Sequence, residues 1–170
     1  MANLSFFAIP AYWVITLLPH NYAIKVMKKA NNGRWNNSSP RSSKWDATLR
    51  ESVPAEVYGR YERAEAAHKN GMENLSLFVG AILAGNVAHL STSTLNTFAM
   101  AYLCLRVAYT LVYISVSTHR LSFFRSTIWF ISTLWCMSIF IAAGFALDWR
   151  RHLCIYHMRN GIGTVAEVRV

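Results

Sequence analysis

The sequence predicts an all-α membrane protein, a bundle of four transmembrane helices within a single domain spanning residues 1–170. Three observations carry that reading. Hydrophobic residues make up 54% of the chain and charged residues only 15%, more apolar surface than a soluble domain of 170 residues has use for. The apolar residues gather into four lengths, about 4–26, 72–90, 97–117 and 126–147, each near the roughly 20 residues that cross a bilayer core. Backbone groups in lipid must be satisfied internally, so these lengths read as helices.

The first helix, about 4–26, lacks a basic leading region and contains Pro10 and Pro19, so it reads as a retained span and not a cleaved signal peptide. A loop over 27–53 follows, marked by the Asn, Gly, Ser and Pro content of NNGRWNNSSPRSSKWD at 31–46. Helix resumes at Pro54 with Glu56 close behind, where the helix dipole favours an acid, and runs over 54–90. Its first half is polar and its second half apolar. The short uncharged hairpin STSTLN at 91–96 makes the third helix, 97–117, an antiparallel neighbour. STHRLSFFR at 117–125 joins it to the fourth, 125–147, and the tail over 148–170 shows no clear period.

The net charge of +9 invites a nucleic-acid reading, which its distribution excludes. With four crossings, twelve basic residues fall on the side of the long loop, from Lys25 to Arg125. Four fall on the other, Arg150, Arg151, Arg159 and Arg169. The excess of positive charge therefore orients the chain, with the loop cytosolic and both termini opposite, and offers contact with anionic lipid. Cys104, Cys136 and Cys154 have no CxxC spacing and no even count, so neither a disulfide framework nor a metal site is expected. Sequons at Asn3, Asn36 and Asn37 are weak, the latter two lying on the cytosolic side.

Polar residues at membrane depth are costly, so their positions are informative. Arg63, Asn70 and Glu73 share one face of the second helix, and Tyr102, Arg106, Tyr109 and Tyr113 share one face of the third. Two polar stripes on adjacent helices imply a common pocket. A plain ion pair between Glu73 and Arg106 is the structural alternative. It leaves the tyrosines unexplained, along with Arg63, Lys69, Arg120 and Arg125 near the same membrane face. Surplus cationic donors suit a small polyanionic ligand.

The segment YERAEAAHKNGMENLSLFVGAILAGN at 61–86 resembles the signature region of the MAPEG family, membrane-associated proteins in eicosanoid and glutathione metabolism. LRVAYTLVYI at 105–114 and FRSTIW at 124–129 extend the resemblance, and PAEVYGRYERAEAAHKNGMEN has the flavour of fungal members. The resemblance implies a homotrimer of four-helix subunits in the endoplasmic reticulum, with active sites between subunits that face the cytosol and bind glutathione. It places Lys25, Arg63, Lys69, Asn70, Glu73, Arg106, Tyr109 and Tyr113 around that cofactor. Arg125 with Ser126 resembles the arginine–serine step that activates the thiol, and Arg120 takes that place under a shifted alignment. Tyr113 completes the catalytic group by orienting the sulfur.

Two departures bear on this. Ala66 stands where glutathione-dependent relatives carry an arginine, and Lys69 replaces another. His68 reads as a helix-surface residue, and Asp46, in WDATLR, only faintly resembles an aspartate proposed as catalytic in a prostaglandin-synthase relative. The expected chemistry is attack of an arginine-stabilised thiolate on a lipophilic electrophile or peroxide arriving from the bilayer. Two alternatives stand beside it, a glutathione-independent isomerase or cyclase acting on a hydrophobic intermediate, and a lipid-binding protein without catalysis.

Overall fold

A computed structural model of the chain describes residues 1–160, apart from the side chains of His119, Arg120 and Leu121. Among the described residues there is helix and no strand. A 3-10 turn at Ser5–Phe7 precedes α1 (Ala8–Ala30), α2 (Ser43–Ser52), α3 (Ala55–Val87), α4 (Thr92–Ser115) and α5 (His119–Arg159).

The long helices form where the apolar lengths predict them, with three differences in extent. α2 lies inside the stretch expected to be loop. Ser42 caps it, its hydroxyl accepting from the Trp45 amide at 3.2 Å, with Asp46 in the first turn and Arg50 in the last. Its buried Leu49 joins Met27 of α1 and Tyr58 and Tyr61 of α3 in a small core at the polar end of the molecule. The Asn- and Ser-rich run ahead of it hid a two-and-a-half-turn amphipathic helix. The hairpin between α3 and α4 is tighter than expected, because Ser91 caps α4, its hydroxyl accepting from Thr94 N at 3.1 Å. His89 takes a left-handed conformation (φ 52°) that lets Leu90 N reach Gly85 O at 2.9 Å and closes α3. The tail expected from 148 is helical to Arg159, so α5 has 41 residues and is about 60 Å long at 1.5 Å per residue, twice the thickness of a bilayer core.

α1 lies along α3 and also meets α4, α3 packs on α4 and α5, and α4 packs on α5. Tyr12, Phe78, Phe98, Tyr102 and Cys136 form the central core, with Phe78 and Tyr102 stacked at 4.3 Å between centroids and Tyr12 edge-on to Phe78 at 5.2 Å. The closest approach of α1 to α3 requires a glycine. A Cβ on Gly71 would sit 2.8 Å from Thr16 Cγ2. At the far end, Asn3 donates to Asn86 Oδ1 at 2.6 Å, and Asn96 Oδ1 accepts from Leu4 N at 2.9 Å, tying the N-terminal segment to the α3–α4 hairpin.

Among the described residues, two helices are long and apolar enough to cross a membrane, α4 and the Ser122–Arg159 part of α5. Only 28% and 22% of their most apolar windows are buried inside the molecule, whereas the core helix of a soluble protein is mostly enclosed. α1 and α3 fall short of the same threshold, α1 through Pro19, His20, Asn21 and its lysines, and α3 because its N-terminal half is polar.

Candidate functional site

The polar stripes of α3 and α4 meet at Arg106. Its side chain is 2% exposed, and its Nη2 donates to Asn70 Oδ1 at 2.8 Å. The guanidinium carbon lies 4.6 Å from the centre of the Tyr109 ring and 5.8 Å from that of Tyr12, so aromatic faces house the charge. Nη1 is enclosed and has no hydrogen-bond partner among the described residues. The structural alternative, an ion pair with Glu73, does not form: Glu73 is exposed and makes no ion pair among the described residues. A neutral amide takes that place, leaving the arginine's charge unbalanced.

From Tyr109 the cluster continues toward the polar end. Tyr109 and Tyr113 meet edge to face at 5.5 Å, and the Arg125 guanidinium of α5 lies 4.0 Å over the Tyr113 ring. Arg63 of α3 reaches the same end of α4 and donates from Nε to the Ile114 carbonyl at 3.1 Å, satisfying one of the acceptors a helix C-terminus leaves open. Beside it opens a cleft of about 610 Å³, lined by Tyr22, Glu56, Arg60, Arg63, Ser115 and Ser117 among others. Of the residues expected to bind the cofactor, Arg63 alone lines this cleft. Arg60 is held by Glu56 at 3.2 Å across one helical turn.

The structure therefore brings Asn70, Arg106, Tyr109, Tyr113 and Arg125 into one continuous contact chain, with Arg63 joined through the Ile114 backbone. Lys25, Lys69, Glu73 and Ser126 are exposed and, among the described residues, share no hydrogen bond or ion pair with it. The Arg120 side chain lies outside the described residues. Tyr102, expected on the binding stripe, is buried in the aromatic core instead.

A second polar group lies on the other flank of α3, and sequence reasoning missed it. His68, expected on the helix surface, is 6% exposed, and its Nδ1–H donates to the Thr16 carbonyl at 2.7 Å. Pro19 in the following turn of α1 has no amide hydrogen, so the Ile15 carbonyl, one residue before Thr16, has no helical donor. The His20 ring lies 5.0 Å from that of His68 and donates from Nδ1 to Glu65 at 2.7 Å. Tyr12 donates to the Gly71 carbonyl at 2.9 Å. The i, i+3 spacing of Glu65 and His68 was the available signal, but nothing in α1 marked which of its faces they would meet.

At the polar end Tyr58 donates to Asp46 Oδ2 at 2.8 Å, tying α2 to α3. Burial first, and then that hydrogen bond and the Asp46 charge, push the Tyr58 phenol up to about 12. Burial, with Glu65, Asp46 and Glu62 nearby, pushes Tyr61 up to about 12 as well. Asp46 thus has a structural partner.

Long apolar helices around a buried arginine that has no carboxylate partner among the described residues define the class: an α-helical membrane protein with an internal polar site. The sequence profile of the MAPEG family matches residues 6–145, and the chain belongs to that family of integral membrane proteins. Membership supports a role in glutathione-related transfer or isomerisation chemistry at a membrane. No curated protein and no solved structure matches the chain.

Proposed function

We propose that this protein is a membrane-embedded glutathione-dependent transferase or peroxidase acting on a lipophilic electrophile. The observation that carries the reading is that Arg63, Arg106 and Arg125 have no carboxylate partner among the described residues and rest on a backbone carbonyl, an amide and two tyrosine faces. Three uncompensated guanidiniums favour an anionic ligand. The donor set fits glutathione, which carries two carboxylates and an ammonium: Arg63, Arg125 and the Asn70 amide for the former, the exposed Glu73 one turn away for the latter.

Bound glutathione supplies a thiol, which is nucleophilic only as its thiolate. Arg125, half-buried and stacked on Tyr113, favours the charged form at that end of the cluster. Tyr113 orients the sulfur by hydrogen bonding, and Arg120 is the alternative activator. Lys25 and Lys69 extend the positive field at the rim. The substrate arrives laterally from lipid, α1 and α3 cross the bilayer beside α4 and α5, and three copies assemble with their sites facing the cytosol of the endoplasmic reticulum. Ala66 favours a second reading. Without an arginine there, the same pocket serves a glutathione-independent isomerase or cyclase acting on a hydrophobic intermediate.

Isothermal titration of the detergent-purified protein with glutathione tests the first reading. Micromolar-to-millimolar binding, followed by conjugation of a lipophilic electrophile, is the expected outcome. Absence of binding by the intact protein overturns it and leaves the isomerase or cyclase reading.

A further inference from the structure

The Asn70 amide is held in one sense by its neighbours, and that sense decides what it offers a ligand. The two ends of a side-chain amide are nearly alike in shape, so hydrogen-bond partners set which way it faces. A guanidinium has only donors. Arg106 Nη2 lies 2.8 Å from Asn70 Oδ1, which must therefore be the oxygen. Asn74 Nδ2, also a donor, lies 3.4 Å from the same oxygen and 2.8 Å from the Asn70 backbone carbonyl. Both neighbours converge on the acceptor end. The NH2 end has no hydrogen-bond partner among the described residues and is not enclosed, so it faces accessible space.

Arg106 itself is poorly placed to touch a ligand. It is 2% exposed, Nη2 is engaged by Asn70, and the Tyr109 and Tyr12 rings lie 4.6 and 5.8 Å from its guanidinium carbon. We propose that Arg106 is a positioning residue: it fixes Asn70 as a hydrogen-bond donor aimed at a carboxylate or peptide carbonyl of the bound ligand. The inference rests on the glutathione reading for the identity of that ligand and on the hydrogen-bond geometry for the orientation. The same geometry makes a distinct statement about Asn70→Asp. An aspartate would satisfy Arg106 better than the amide does, yet present an acceptor edge to the ligand and repel a carboxylate.

The test is a double-mutant cycle read by glutathione titration, with thermal melts of each solubilised variant. Arg106→Met removes the donors while keeping a long apolar stem, and weakens binding about tenfold, the scale of one hydrogen bond. In an Asn70→Ala background the same change adds less than about twofold, because there is no amide left to orient. Asn70→Asp melts at or above the wild type and binds at least about tenfold more weakly. Arg106→Lys keeps a donor and stays within about threefold of the wild type, which decides the matter if the Met variant fails to fold. Equal losses from Arg106→Met in both backgrounds overturn the proposal, since Arg106 would then act on the ligand without Asn70. Hydrogen exchange of the Asn70 side-chain amide in protein labelled with 15N-asparagine reads the orientation directly, without glutathione. Exchange at the rate of an exposed amide supports it, and strong protection overturns it even if the wild type binds no glutathione and the functional reading falls separately.

Discussion

α3 has two polar flanks, and they are finished differently. Toward α1, His68 meets the Thr16 carbonyl, His20 meets Glu65, and Tyr12 meets the Gly71 carbonyl, so donors and acceptors find each other within the chain. Toward α4 and α5, among the described residues, Arg106 keeps an enclosed nitrogen without a partner and Arg125 rests on an aromatic face without a carboxylate. A buried guanidinium without a carboxylate beside it is costly, and an anion bound nearby offsets that cost. The α1 flank has the character of a structural seam and the α4–α5 flank that of a binding site. Substitutions should separate the two, one flank moving stability alone and the other moving ligand chemistry alone.

The largest effect is expected at Arg125. Arg125→Ala should lower kcat for thiol conjugation by about a hundredfold, the scale lost when one preorganised charge stabiliser is removed, while the melting temperature of the solubilised protein barely moves. A large loss of stability would place Arg125 with the structural groups instead. On the opposite flank, Gly71→Ala pushes a methyl against Thr16 Cγ2, where the built Cβ comes to 2.8 Å, and should cost about 1–3 kcal/mol of stability with glutathione affinity unchanged. His68→Leu leaves the Thr16 carbonyl without its side-chain donor and should cost about 1–2 kcal/mol, again with unchanged affinity. A weakened glutathione titration in either variant would erase the distinction between the flanks.

How much of this was legible in the sequence differs along the same division. The polar cluster toward α4 and α5 was readable because arginines and tyrosines at helical spacing are conspicuous in apolar surroundings, and Asn70, Arg106, Tyr109 and Tyr113 do touch in a chain. What the spacing did not determine was the pairing. Shared faces cannot say whether Arg106 turns to Glu73 or to Asn70, because a difference of one turn on α3 decides it. The structural flank was hidden because its partners are backbone carbonyls: Thr16 and Gly71 carry no side-chain signal for an incoming donor. α2 was hidden for another reason. Its segment is short and polar, and its helix rests on one cap, on the packing of Leu49 and Trp45 and on the Tyr58 hydrogen bond to Asp46, most of which tertiary neighbours supply.

The smallest expected effect lies where α2 is tied down, and it carries a sign. Tyr58 and Tyr61 are both pushed from 10.0 up to about 12, so the fold keeps their protons at pH values where the unfolded chain has lost them. Between those values the unfolded state binds fewer protons, so the stability that is fully present below about pH 10 is lost as pH rises to about 12. Tyr58→Phe should cost about 1 kcal/mol at neutral pH through the lost hydrogen bond to the exposed Asp46, and should make the alkaline decline shallower, leaving only the share of Tyr61. Thermal melts of wild type and variant from pH 8 to 11.5, in steps of about half a unit, measure both slopes. A wild-type curve that stays flat over that range would mean the phenols titrate as if solvated, and α2 would then not be docked on α3. A shallower slope in the variant with unchanged glutathione affinity at neutral pH would extend the structural flank from the α1–α3 seam to the α2 junction, and confine ligand chemistry to the α4–α5 side.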